Sequence, residues 1–179
     1  MKSKLNFSKF AIFTSIGLIL FIISFQLYDK KIASGSRIVD STSMPRNQQN
    51  DILQDSIVDY GMEFLGTPYV AAGCGVDGFD CSGFVFFVFQ HFKIDVPRSS
   101  AGFENYGHEI PIADIQKGDL LLFLSPTRDV IGHVGIATDA KGKESSFIHA
   151  SSGKDMKVII SKLSSPGYEK RFVKAVRAL

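Results

Sequence analysis

The feature that most constrains the fold is a change of hydrophobic pattern near residue 118. Before it, apolar residues recur at helical spacing in residues 51–65 or form a continuous run at residues 84–92. After it, apolar and polar residues alternate, which is the period of β-strands. Helices followed by strands are typical of an α+β domain, so we expect a central N-terminal helix packed on an antiparallel sheet.

The second half of the chain alternates in five separate segments, which are predicted as strands. Most of them are joined by short turns, such as residues 140–142 and 164–167, and short links favour antiparallel neighbours. The predicted strands are residues 119–124, 133–138, 146–150, 157–160 and 172–176. The predicted sheet therefore has about five strands.

The first half of the domain contains three predicted helices. The helix at residues 51–65 ends at Gly66. The run at residues 84–92 follows an Asp and a Ser that can cap a helix, so it is predicted as the buried central helix. A short third helix is predicted at residues 99–106, and the glycine-rich residues 71–78 are predicted to form a loop.

Residues 10–27 form a stretch of 18 positions without a charged side chain. That length is close to the roughly 20 residues that a helix needs to cross a bilayer. Three lysines precede it, which favours a cytoplasmic position for residues 1–9. A cleaved signal peptide is the alternative, but lysines separate the small residues 33–35 from the apolar stretch, so an uncleaved single-pass anchor is favoured. Either interpretation places the rest of the chain outside the cytoplasm.

Residues 28–50 are polar and have no period that could bury one face, so they are predicted to form a flexible tether. The folded domain is then expected to occupy residues 51–179. The net charge of +2 and the scattered Lys and Arg residues give no basic face for nucleic acid. We expect a monomer without a cofactor.

Cys81 stands at the predicted start of the central helix. Unpaired backbone N–H groups and the positive end of the helix dipole favour a thiolate there, and the same groups could bind an oxyanion. Glycines at 78 and 83 would let a substrate backbone approach. The alternative is that Cys81 is a small buried apolar residue, as most free cysteines are. A disulfide with Cys74 is also open, although it would consume a reactive thiol.

Two histidines favour the interpretation of Cys81 as a reactive thiol. His133 opens one predicted strand and His149 closes the next, and the turn between them is centred near Lys141. In a symmetric antiparallel hairpin the two residues lie opposite each other, with Cβ atoms about 5 Å apart. A register slip of two residues would still leave both rings on one face. One imidazole could then accept the Cys81 proton while the other orients it, as acyl transfer requires.

Zinc is the other interpretation of one cysteine and two histidines. Positions 81, 133 and 149 lack the closely spaced ligand pair that is usual in structural zinc sites, so no metal is predicted. His91, near the end of the central helix, and His108, in a predicted loop, are expected to be solvated. Asp119 is expected to be structural, at the start of a core strand.

Several stretches together resemble the NlpC family of bacterial cell-wall cysteine peptidases. Their order and spacing run through essentially all of residues 51–179. They are LGTPYVAAG (65–73), GFDCSGFV (78–85), VPRSS (96–100), KGDLLLF (117–123), GHVGIA (132–137) and FIHASS (147–152). The resemblance implies a papain-like α+β domain that hydrolyses peptides of peptidoglycan, with Cys81 as nucleophile, His133 as base and His149 as the third polar residue.

The resemblance also implies roles for residues around the nucleophile. Tyr69 would line the site and support the thiolate or the oxyanion. Asp80 and Ser82 would help to shape the substrate pocket. Arg98 could bind a carboxylate of the stem peptide, or equally could bond backbone carbonyls near Pro97.

The leading hypothesis is a peptidase that cuts the bond between D-glutamate and a diamino acid such as diaminopimelate, as members of the family commonly do. The alternative is a papain-like amidase or acyltransferase that acts on another amide or on a lipid. A non-enzymatic wall-binding domain is disfavoured by the intact Cys81, His133 and His149. The predicted partner is peptidoglycan, reached from the outer side of the cell membrane.

Overall fold

A computed structural model describes residues 45–179. The predicted anchor at residues 10–27 and the predicted cytoplasmic residues 1–9 lie outside that range. Within the described range, none of the helices combines the length and the apolar character needed to cross a membrane.

The first helix, α1, spans Arg46–Met62 and follows Pro45. It begins before the predicted start at residue 51, so the predicted tether was too long at its C-terminal end. Residues 46–50 are polar, and for that reason no apolar period revealed them. The other residues of the predicted tether lie outside the described part of the chain.

Helix α2 spans Cys81–His91, and its buried residues include Phe84 and Val88. This confirms the predicted central helix. A 3-10 helix at Ser100–Asn105 confirms the predicted short helix. The glycine-rich loop differs from the prediction because it contains two short antiparallel strands, β1 (Cys74–Gly75) and β2 (Gly78–Phe79).

Six further strands form one antiparallel sheet in the order β3–β8–β4–β5–β6–β7. They are β3 (His108–Ile110), β4 (Leu120–Leu124), β5 (Ile131–Ala137), β6 (Ser146–Ser151), β7 (Lys157–Lys162) and β8 (Phe172–Arg177). All five predicted strands are present, and the α+β class is confirmed. Two more 3-10 helices, Ile112–Asp114 and Gly142–Glu144, lie in the connections.

Two details of the predicted sheet were wrong. Strand β3 is an additional strand, so His108 lies in a strand rather than a loop, although it is exposed as expected. The turn at residues 164–167 does not join neighbouring strands, because β8 pairs with β3 and β4 on the far side of the sheet from β7. Residues 163–171, called the crossover below, make this connection and contain the short helix α3 (Pro166–Glu169).

The sheet separates two apolar clusters. The face that carries Val134 and Ile148 belongs to the cluster that includes α1 and α2. The opposite face carries Phe123 and Phe147, and the crossover packs on it through Tyr168. Since side chains alternate along a strand, the predicted catalytic histidines belong to this second face.

Asp119 is structural, as predicted. Its side chain is 1% exposed and accepts hydrogen bonds from Nε and Nη2 of Arg177 at 2.8 and 2.9 Å. The backbone N–H of Gln116 donates to the same carboxylate at 2.6 Å. These bonds connect the start of β4 to the end of β8.

Candidate active site

The start of α2 is held by a polar network around Asp80. The Asp80 carboxylate caps the helix by accepting a hydrogen bond from the backbone N–H of Gly83 at 2.6 Å. It also accepts one from each terminal nitrogen of Arg98 at 3.0 Å, and one from the buried Ser82 hydroxyl at 3.2 Å. Asp80 and Ser82 are thus bonded within the scaffold that holds Cys81.

Arg98 connects this network to the loop before α2. Its Nη2 donates to the carbonyl oxygens of Ala72 and Gly73 at 2.8 and 3.2 Å. Of the two open interpretations, the structure favours bonding to backbone carbonyls, although not those near Pro97. Gly83 is needed for the same packing, because a Cβ there would overlap the Gly73 carbonyl oxygen.

The Cys81 side chain contacts the backbone of β5 at a point where β5 is not paired with β6. Pairing between these strands ends at Ile136 and Ile148, so residues 132–134 lie beyond their ladder. The Cys81 thiol donates to the Gly132 carbonyl, with Sγ 3.8 Å from the oxygen, and the backbone N–H of Val134 bonds to the sulfur. The sulfur therefore lies against the backbone on both sides of position 133.

The two predicted histidines form a hydrogen-bonded pair. Nε2 of His133 lies 3.0 Å from Nδ1 of His149, and the rings are perpendicular, at 89°. Their exposed fractions are 7% and 0%. Ile136 is paired with Ile148, a slip of two residues from the predicted pairing of 133 with 149, and both rings remain on one face as expected.

The hydrogen-bond chain behind the pair is compatible with the protonation state that a general base needs. His149 Nε2 is 3.0 Å from Ser161 Oγ and 3.3 Å from the Tyr168 hydroxyl. When His149 donates from Nε2 to one of these oxygens, its Nδ1 accepts the Nε2–H of His133. His133 then keeps an unprotonated Nδ1, which is the state that a general base needs.

Ser161 and Tyr168 were not predicted from the sequence, and neither lies in a recognisable motif. In the structure His149 pairs with Ile159, which places Ser161 diagonally beside the His149 ring. This register was not predicted from the sequence, so Ser161 could not be found from it. Tyr168 was missed because β7 and β8 were expected to be paired neighbours. In that arrangement, residues 163–171 would form a turn and would not pass over the histidines.

Burial is the largest cause of the pKa shift at each of the three candidate catalytic groups. It lowers the pKa of His133 to about 4, helped by the charge of Arg171, and it lowers the pKa of His149 to about 2, helped first by His133. Burial and the Asp80 carboxylate raise the pKa of the Cys81 thiol by more than the nearby backbone N–H groups lower it. The raised pKa of the thiol opposes the thiolate that the helix start was expected to favour.

Tyr69, which the resemblance implies as part of the site, is close enough to Cys81 and Asp80 for their charges to act on its phenol. Its phenol is half-buried, and burial, followed by the charges of Cys81 and Asp80, raises its pKa. The phenol consequently keeps its proton and can act as a hydrogen-bond donor.

A cavity of about 150 Å³ opens beside His133. Its lining includes Gly132, His133, Ser151, Ser152, Tyr168 and Arg171. The cavity thus combines the candidate base with three hydroxyl groups and one cationic side chain.

Other residues singled out in the sequence lie apart from this constellation. Cys74 is a free, exposed thiol that donates to the Gly83 carbonyl at 3.6 Å, so it forms no disulfide with Cys81. His91 is exposed and stacks on Tyr60, with ring centroids 3.9 Å apart. In the part of the chain that the structure describes, no three His, Cys, Asp or Glu residues are arranged to hold a metal ion.

Cys81 at a helix start contacts the backbone on both sides of His133, and the His133 ring is hydrogen-bonded to His149. This arrangement is suited to thiol-dependent acyl transfer. The sequence model of the NlpC/P60 family matches residues 66–177. The chain therefore belongs to the NlpC/P60 family, which confirms the resemblance.

Named relatives agree with this assignment. A probable endopeptidase of Haemophilus influenzae is 40% identical over 111 residues, which are 62% of this chain and 65% of that protein. The gamma-D-glutamyl-L-lysine dipeptidyl-peptidase of Bacillus subtilis is 36% identical over 104 residues, 57% of this chain and 35% of the relative. The chain thus spans only part of the length of these relatives.

The fold is shared with solved structures. An NlpC/P60 family protein from Bacillus cereus superposes with a TM-score of 0.64 and is 32% identical, and the match covers 70% of this chain and 40% of that one. This confirms the papain-like α+β architecture.

Proposed function

We propose that this domain is a cysteine peptidase that hydrolyses the stem peptides of peptidoglycan, with Cys81 as nucleophile, His133 as base and His149 as the residue that orients His133. The main support is the 3.0 Å contact between His133 Nε2 and His149 Nδ1, next to the backbone that the sulfur touches. Because His149 occupies Nε2, Nδ1 is the nitrogen of His133 that remains for Cys81.

In the proposed reaction, Cys81 Sγ attacks the peptide carbonyl carbon while its proton passes to His133 Nδ1. The oxyanion accepts hydrogen bonds from backbone N–H groups at the start of α2 and from the Tyr69 phenol. His133 then gives the proton to the leaving amine, and the acyl group stays on sulfur. Water, deprotonated by His133, attacks the thioester and releases the acid and the free thiol.

The bond proposed for cleavage joins D-glutamate to the diamino acid, with diaminopimelate as the expected diamino acid. The name of the Bacillus subtilis relative supports a D-glutamyl bond. The hydroxyl groups and the cation in the cavity beside His133 suit a polar, anionic peptide better than a lipid. The amidase or acyltransferase hypothesis predicts a different product and is separated by the experiment that follows.

The test is digestion of purified muropeptides by the full-length chain, followed by mass spectrometry of the products. We expect wild type to release peptides with a new free amine on the diamino acid, and Cys81→Ala to release none. Cys74→Ala is the matched control and should behave as wild type. Intact muropeptides after incubation with wild type would reject the peptidase and leave the amidase or acyltransferase. Equal cleavage by Cys81→Ala would remove Cys81 as the nucleophile.

For the location we propose a retained single-pass anchor at residues 10–27 with the catalytic domain outside the cytoplasm. The support is the uncharged stretch and the lysines before it. In cells, the intact chain should stay in the membrane pellet after alkaline washing, and protease added outside should digest the domain. A mature chain that lacks residues 1–35 would show a cleaved signal instead.

A further inference from the structure

Arg171 lies at the end of the crossover and lines the cavity beside His133. Its Nε donates to the Gly167 carbonyl at 2.9 Å, and its Nη1 donates to the Leu124 carbonyl at 3.1 Å. These two bonds orient the guanidinium. Its third nitrogen, Nη2, has no hydrogen-bond partner among residues 45–179.

The charge of Arg171 is also uncompensated. Two other arginines of the domain form ion pairs, Arg98 with Asp80 and Arg177 with Asp119. Arg171 has no ion pair with any residue in the described range, and the cavity that it lines contains no acidic side chain. An oriented guanidinium without a carboxylate partner, in a cavity next to a catalytic base, is suited to binding an anion.

The surroundings of Arg171 extend this polar site. The Tyr168 ring lies under the guanidinium, with Cζ 5.3 Å from the ring centroid, and supports it by a cation–π contact. The exposed Ser152 lines the same cavity and offers a hydroxyl donor. The charge is also close enough to lower the pKa of His133 and of His149.

We propose that Arg171 binds a carboxylate of the stem peptide and thereby selects substrates in which that carboxylate is free rather than amidated. The inference rests on the proposed function and deepens it by naming the recognised group. A planar carboxylate matches the N–H donors of a guanidinium, whereas a carboxamide presents one acceptor oxygen and no charge. A bound carboxylate would also offset the positive charge near His133 and so make the base more basic when the correct substrate is present.

The experiment compares muropeptides that differ at one carboxylate, free in one member of a pair and carboxamide in the other. Separate pairs cover the α-carboxylate of glutamate, the second carboxylate of diaminopimelate and the C-terminal carboxylate. For one pair we expect the full-length wild type to have a kcat/KM roughly tenfold or more higher on the acid, the size expected for a charged hydrogen bond.

In Arg171→Gln the acid-to-amide ratio should fall to about one, and Arg171→Lys should retain an intermediate preference. Lys170→Gln is the matched control, because it removes the same charge from the adjacent, exposed residue and should keep the wild-type ratio. Both rates in a ratio come from one protein, so a change in folded fraction cancels. A ratio near one for every pair in wild type, or a ratio unchanged in Arg171→Gln, would overturn the proposal.

Calorimetric binding to Cys81→Ala separates this inference from the proposed function. If wild type cleaves no muropeptide, the proposed function fails. The carboxylate site is still supported if Cys81→Ala binds the acid more tightly than the amide and Cys81→Ala/Arg171→Gln does not. Equal affinity for acid and amide in Cys81→Ala contradicts the carboxylate site, whether or not cleavage occurs.

Discussion

The proposed nucleophile, Cys81, and its proposed base, His133, lie in regions that are stabilised in opposite ways. Around Cys81 the polar groups are matched: Asp80 caps the helix and is bonded to Arg98 and Ser82. Around His133 the surroundings are buried and aromatic, and the nearest cation, Arg171, has no acidic partner in the described part of the chain. The first region holds the sulfur in position and contributes to the raised pKa of the Cys81 thiol, whereas the second lowers the pKa of both imidazoles.

This difference indicates that the two regions contribute to the site in different ways. The network at the start of α2 is local and holds the sulfur in place. The histidine region is built by three strands and the crossover, and its burial keeps both imidazoles neutral at pH 7. Changes in the histidine region should therefore affect chemistry, whereas changes in the network should mainly affect stability.

The largest effect is expected for His133→Ala. Loss of a general base typically lowers kcat by roughly 100- to 10,000-fold, and KM should change little because the cavity remains. Steady-state kinetics on muropeptides measure this. His108→Ala, at an exposed histidine of β3, is the control and should match wild type. A loss below about tenfold would mean that another group takes the Cys81 proton.

A smaller effect is expected for His149→Ala, which leaves His133 Nε2 without its acceptor. The loss should be roughly 10- to 100-fold in kcat, the range for one buried hydrogen bond to a group that becomes charged. His149→Asn can restore an acceptor and should recover part of the activity. If the Ala and Asn variants were equally active, the contact would have no orienting role.

Gly135→Ala should disturb the same region through packing. Its Cβ would lie 2.5 Å from Phe147 Cδ2 and 3.1 Å from His149 Cβ, so these side chains must shift. We expect a loss of about 1–3 kcal/mol in the free energy of unfolding, with reduced kcat. Urea denaturation gives the first value. Gly75→Ala, which has open space around its Cβ position, should be nearly neutral, and equal effects of the two substitutions would contradict this packing.

The smallest effect on chemistry is expected for Arg98→Met. Asp80 and the carbonyls of Ala72 and Gly73 lose a donor, so the free energy of unfolding should fall by about 1 kcal/mol. Because Asp80 then faces Cys81 without its cation, the pKa of the thiol should rise further, and the rise of kcat with pH should move to higher pH. Arg128→Met, at an exposed position, is the control. An unchanged pH profile in Arg98→Met would show that this network does not influence the protonation of Cys81.

The start of α2 could be predicted from the sequence because the residues that define it are neighbours in the chain. Helix capping is a local rule, so Asp80 and the apolar run after Gly83 were sufficient to place Cys81. The shared face of the two histidines could also be predicted, because strand alternation survives a slip of two residues.

The remaining features depend on contacts between distant residues. The centre of the β5–β6 hairpin differs from the predicted one because the turn contains the 3-10 helix Gly142–Glu144. The turn is also held by the Asp139 carboxylate, which accepts the Ser146 N–H at 2.8 Å. The crossover could not be foreseen, since the choice of β4 as the neighbour of β8 is made by packing. Tyr168 and Arg171 reach the histidines only as a result of that choice.

The most direct test of the account is a ¹⁵N NMR titration of the imidazole nitrogens of His133 in the full-length protein, assigned with His133→Ala. We expect Nε2 to carry the proton and Nδ1 to be unprotonated at pH 7, with protonation only as the pH falls to about 4, the lowered pKa of this ring. An imidazolium at pH 7, or a proton on Nδ1 of a neutral ring, would contradict the proposed base.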